Sequence, residues 1–78
     1  MSDLASGGQP NGQLHPSIVA ILRYFAWEHL PENLQGVSRP CGEFAEQMAL
    51  TLPSSPELTA GLRKLLEAKD CFVRAALE

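Results

Sequence analysis

Apolar residues recur at helical spacing along most of this chain. From Pro16 onward, Ile18, Ile21, Leu22, Phe25 and His29 fall on one face of a helix, and the fixed φ of Pro16 suits a first helical position. Pro31 ends this segment, and Tyr24 and Trp27 are neighbours on another of its flanks. A second stripe runs through Leu34, Val37, Cys41, Phe44, Met48 and Leu52 in steps of three and four. Pro40 interrupts it, because proline offers no amide hydrogen and crowds the carbonyl four residues back, that of Gly36. The second helix is therefore expected to kink near Gly36 to Pro40, or to start afresh there with Ser38 as its cap.

The turn Leu52-Pro53-Ser54-Ser55-Pro56-Glu57 starts a third helix. Either Ser55 caps it with Pro56 at the first helical position, or Ser54 and Glu57 form a capping box. Its seam reads Leu58, Leu62, Leu65, Phe72 and Ala76, with a second, offset row at Leu66, Val73 and Leu77. A short loop between two amphipathic helices makes them antiparallel neighbours. The expected fold is all-α: an antiparallel two-helix hairpin with a preceding short helix, together one helical hairpin domain over residues 15–78.

One partner helix cannot cover both rows of the third helix, so the pattern also predicts a homo-oligomer. Size points the same way, since 78 residues hold one small core that seldom supplies more than roughly 3–5 kcal/mol. Residues 1–14 contain Ser, Gly, Gln, Asn and Pro with isolated Leu4 and Leu14, cannot bury enough apolar area to offset ordering entropy, and read as a disordered tail. The alternative for that tail is an arm that orders over a ligand or a neighbouring subunit.

Charge narrows the partners. Six Lys and Arg against nine Asp and Glu give a net charge of −3, the wrong sign for a general binder of duplex nucleic acid. A small anionic ligand held by local cations fits that balance. No apolar run reaches the ~18–20 residues of a membrane span, and the N-terminus lacks the pattern of a secretion signal, so a cytoplasmic protein is expected. In that compartment Cys41 and Cys71 are expected as free thiols, and their unequal distances from the turn argue against a bridge within one chain. With His15 and His29 they lack the spacing of a metal site, and no cofactor is expected.

Chemistry-bearing residues are few. A nucleophilic site would need Cys or Ser beside a His and an orienting carboxylate, whereas His15 lies at the tail junction and His29 at a helix end, so no enzymatic activity is expected. Glu43 with Glu46, and Glu67 with Asp70, read as solvated charge. Lys69 falls on the third seam just before Phe72, where it either lays its stem on apolar surface with the ammonium in water or contacts a ligand or another subunit. Tyr24, Phe25, Trp27 and His29, with Arg39 beside Pro40, form the other unusual group. They are either core and edge residues of a small protein, or an aromatic face that stacks on a nucleobase with Arg39 on a phosphate.

The run Arg23-Tyr24-Phe25-Ala26-Trp27-Glu28-His29-Leu30-Pro31 is followed by Leu34-Gln35, Val37-Ser38-Arg39-Pro40 and Phe44-Ala45-Glu46-Gln47-Met48-Ala49. The turn Thr51-Leu52-Pro53-Ser54-Ser55-Pro56-Glu57 and the stretch Leu62-Arg63-Lys64-Leu65-Leu66-Glu67-Ala68-Lys69-Asp70, with Val73-Arg74-Ala75-Ala76, complete a pattern over residues 16–78. The pattern resembles a phage helical-hairpin family that includes the sponge proteins used against the CBASS and Thoeris bacterial defences. The resemblance implies a homo-oligomer, a hexamer, that binds cyclic di- or trinucleotide immune signals without cleaving them, so that the host effector is never activated. It also implies that an aromatic near the first helix and a later basic residue hold a cyclic dinucleotide, and Tyr24 and Arg39 match that pair. A separate trinucleotide site between subunits is implied as well, for which Arg63, Lys64, Lys69 or Arg74 would serve.

The ligand-binding residues expected from these readings are Tyr24, Trp27, His29, Arg39, Lys69 and Arg63. Two rival functions stand beside the sponge. One is a helical protein-interaction or assembly module that docks a partner through the surplus apolar rows and needs no small ligand. The other is a small regulator with a recognition helix, against which Glu67 and Asp70 interleave the bases of the third helix.

Overall fold

A computed structural model describes residues 14–78, and among them every regular element is helical. The tail expected over residues 1–14 lies outside the described residues except for Leu14, which is half-buried and packs against the core.

Helix α1 spans Pro16–Leu22, with Pro16 at its first position. His15 caps it, its Nδ1 accepting the Ser17 amide at 3.1 Å. The helix does not continue to His29: a 3-10 turn, Arg23–Phe25, tightens its end, and Ala26 is extended at φ −57°, ψ 137°. The cause is geometric. Residues two apart on an α-helix point about 200° apart, so Phe25 and Trp27 could not both reach α2 from a continuous helix. Breaking at Ala26 buries Phe25 in the core and brings Trp27 against Gly42. Gln35 then holds the loop closed, its Nε2 donating to the carbonyls of Glu28 at 3.1 Å and Leu30 at 2.9 Å.

Helix α2 runs unbroken from Glu32–Thr51 with Pro40 inside it, so there is no fresh start, and Ser38 is a buried interior residue rather than a cap. The carbonyl that Pro40 leaves without a helical donor belongs to exposed Gly36, within reach of water. The buried face is also displaced from the expected stripe. Ser38, Gly42, Ala45 and Ala49 are buried, whereas Phe44 is 50% and Leu52 44% exposed. Small side chains let the backbone of α2 approach its neighbours closely, while the expected row flanks that face: Cys41 and Met48 pack against the core, and Phe44 and Leu52 are left at the edge.

Ser55 is the cap of α3, Pro56–Ala76, its Oγ accepting the Leu58 amide at 3.1 Å. Ile18, Phe25, Ala45, Ala49, Leu58 and Leu62 form one core that joins α1, the 3-10 turn, α2 and α3. Leu14, Ile21, Leu22, Cys41, Met48, Leu65 and Leu66 close around it. Of the two rows on α3, Leu66 is therefore partly covered within the chain, while Phe72 and Leu77 are exposed. Cys41 and Cys71 are free thiols, the first half-buried and the second exposed. Among the described residues no helix is long and apolar enough to cross a membrane.

Candidate functional site

Three segments distant in sequence meet at one end of the core. The 3-10 turn and its loop supply Arg23, Tyr24, His29 and Leu30, the middle of α2 supplies Ser38, and the last turns of α3 supply Lys69, Asp70, Val73 and Arg74. Between them lies a cleft of about 410 Å³, within the ~300–1,000 Å³ common for small-molecule sites.

Lys69 builds this cleft. Its Nζ donates to the Tyr24 carbonyl at 3.1 Å and lies 3.3 Å from Asp70 Oδ1, with the side chain 13% exposed. The ammonium therefore does not stand in bulk water: it ties α3 to the 3-10 turn, a role beyond the two expected for it. An ammonium carries three hydrogens, so the two contacts leave one free to face the cleft. The Tyr24 ring lies at the rim, 68% exposed, because its backbone, not its side chain, is the part held by the fold.

Charge is concentrated here. Arg23, Lys69 and Arg74 are three of the chain's six Lys and Arg, and Asp70 is the one carboxylate lining the cleft. An acidic protein thus presents a locally cationic hollow with an aromatic ring beside it. Arg74 also donates from Nη2 to Cys71 Sγ at 3.3 Å, which steadies its position along α3.

The floor of the cleft holds an anomaly. Ser38 is 1% exposed and its Oγ is buried with no hydrogen-bond partner. Buried polar groups are satisfied in the great majority of cases, and a serine inside a helix ordinarily turns its hydroxyl to a carbonyl of the preceding turn.

The fold brings together Tyr24, His29 and Lys69 from the expected set and separates the other three. Arg39 is not among the residues lining the cleft; its guanidinium carbon stands 4.9 Å from the centroid of the Trp27 ring. Its Nε donates to Glu43 Oε2 at 3.0 Å, with both side chains more than half exposed. Trp27 lines a smaller hollow of about 190 Å³ with Gly42 and Glu46. Arg63 lies beside His15, Ser55 and Thr59 around a hollow of about 430 Å³. A further groove, about 440 Å³, is almost wholly apolar and is lined by Met48, Leu52, Pro53, Leu58, Gly61 and Leu62.

Sequence reasoning misses Arg23 and the lining role of Ser38. The periodicity of the first segment gives Arg23 no signal of its own, and the interruption at Pro40 makes Ser38 look like a cap. A signal for the α3 wall is present, because Lys69, Asp70, Val73 and Arg74 are spaced i, i+1, i+4, i+5 and share one helix face. Among the described residues no three His, Cys, Asp or Glu side chains converge as a metal site would require. Three cations, one carboxylate, a tyrosine ring and apolar side chains surround the cleft, a chemistry that suits anionic and planar groups. Comparison with family models, with characterised proteins and with solved structures finds no match to this chain.

Proposed function

We propose that this protein is a phage sponge: it binds a cyclic di- or trinucleotide immune signal, does not cleave it, and so keeps the host defence effector inactive. In this reading α2 and α3 are the antiparallel arms of a hairpin, and copies of the chain assemble into a homo-oligomer, a hexamer by the family resemblance, in the host cytoplasm. One observation carries it: the cationic cleft between the 3-10 turn and α3, with the exposed Tyr24 ring at its rim. Tyr24 stacks on a nucleobase, and Arg23 and Arg74 face phosphate, the roles that suit an exposed ring and unburied guanidinium groups. Exposed Phe44, Leu50, Phe72 and Leu77 supply the apolar surface for assembly. Arg39 is engaged with Trp27 and Glu43 on its own chain. The pair Tyr24 and Arg39 is then completed across a subunit boundary, Arg39 approaching the cleft of a neighbouring copy.

The test is a thermal-shift panel of cyclic di- and trinucleotides. A ligand bound only by the native state at a hundred times its Kd adds ~2.7 kcal/mol, a rise of ~10 °C or more for a domain of this size. Tyr24→Ala and Arg74→Ala are expected to remove the shift while leaving the elution volume of the assembly unchanged. A parent protein that responds to no member of the panel would sink the proposal.

A second reading has its own support in the apolar groove at the α2–α3 turn, whose lining residue Leu52 is 44% exposed, with Phe44 also exposed on α2. A helical interaction module would dock a partner protein there. No nucleotide response, together with a co-purified partner released by Leu52→Glu, would favour it over the sponge.

A further inference from the structure

Ser38 sits where three requirements meet. Its hydroxyl is buried and has no partner in the folded chain, and the residue is one of those around the same cleft as Arg23, Lys69 and Arg74. A hydroxyl left unsatisfied in a low-dielectric site opposes folding, and the surrounding fold holds it there nonetheless. The neighbouring positions show that nothing in the packing demands an oxygen: Gly42, Ala45 and Ala49 bury the rest of the same face without a polar side-chain atom. An alanine would fill the Ser38 site with no orphaned group.

We propose that the Ser38 hydroxyl is a specificity-determining donor for the bound ligand, giving its hydrogen to a non-bridging phosphoryl oxygen that enters the cleft between Lys69 and Arg74. The inference rests on the sponge reading and deepens it. The charge around the hydroxyl selects the partner atom, because three cations against one carboxylate favour an anionic oxygen over a carbonyl or a ring nitrogen. Ligand binding then supplies an acceptor to a donor that has none within the folded chain. A ligand presenting an apolar group at this point would leave the hydroxyl orphaned and be rejected, as sites built around buried donors reject analogues that lack the acceptor.

The experiment compares parent and Ser38→Ala by calorimetric titration with the tightest cyclic nucleotide of the panel, alongside thermal unfolding of both proteins without ligand. The expected result is a loss of affinity of about tenfold or more, with an unliganded Tm equal to or above that of the parent. A titration of the same ligand with one non-bridging phosphate oxygen replaced by sulfur, a weaker acceptor, adds a second readout. Sulfur at the contacted position weakens binding to the parent and changes it little in Ser38→Ala. Equal affinity of parent and variant for the oxygen ligand overturns the role of Ser38 and leaves the sponge standing. A fall in the unliganded Tm of the variant also overturns it, by showing that the hydroxyl is bonded within the fold. A parent that binds no member of the panel overturns the sponge and, with it, this inference.

Discussion

Gly42→Ala tests the tightest contact between α2 and the 3-10 turn. A Cβ built on Gly42 falls 2.8 Å from the Phe25 carbonyl oxygen and 3.1 Å from Trp27 Cδ1. The first of these neighbours is backbone and cannot rotate away, so the whole turn must shift to admit a methyl group. Overpacking of this kind typically destabilises by ~1–3 kcal/mol, while alanine regains about 1 kcal/mol over glycine in a helix interior. The net expectation is a loss of about 1 kcal/mol, or ~4–8 °C in Tm for a domain of this size. Gly36→Ala is the internal control, because a Cβ at that position meets nothing within 4 Å; it should stabilise by about 0.5–1 kcal/mol. Far-UV circular dichroism gives both midpoints, and the emission of Trp27, the chain's one tryptophan, reports whether its ring has left α2. A Gly42→Ala protein that melts as high as Gly36→Ala, with unchanged emission, would refute the account of how this turn is seated.

Other substitutions probe the remaining joints. Ser55→Ala removes the side-chain cap of α3 and should cost about 1 kcal/mol in urea unfolding; an unchanged midpoint would show that the Leu58 amide finds another acceptor. Ala45→Leu should destabilise by ~1–3 kcal/mol through overpacking, whereas Phe44→Ser, half-exposed in one chain, should leave the fold intact and shift the assembly to smaller species in light scattering. The reverse ranking in melting experiments would mean that the large row, not the small one, faces the core. On the proposed sponge assembly, Tyr24→Ala and Arg39→Ala, each inactive alone, should recover binding in about a quarter of sites when coexpressed, by random pairing of subunits across a symmetric interface; no recovery would refute the shared site between subunits.

Much of this molecule is written in short-range chemistry. Pro16 and the Ser55-Pro56 pair set the starts of α1 and α3 because capping and a fixed φ act within one turn, and the spacing of Ile18, Phe25, Leu58 and Leu62 marks core positions that the structure buries. The helical class follows from the same periodicity. Other features depend on what stands opposite. Whether α1 ends at Leu22 or His29 is decided by Phe25 and Trp27 both reaching α2, and Gly42 makes room for that approach. Pro40 breaks isolated helices, yet α2 passes through it, since the packing of Ser38, Gly42, Ala45 and Ala49 outweighs one missing hydrogen bond. Hydrophobic patterning favours the row of Phe44 and Leu52, but only the separation of the helices selects small residues for the buried face. The cleft belongs to the same kind of decision: Arg23, Ser38 and Lys69 lie far apart in the chain, and a local signal carries no information about which distant side chains a packed core will bring together.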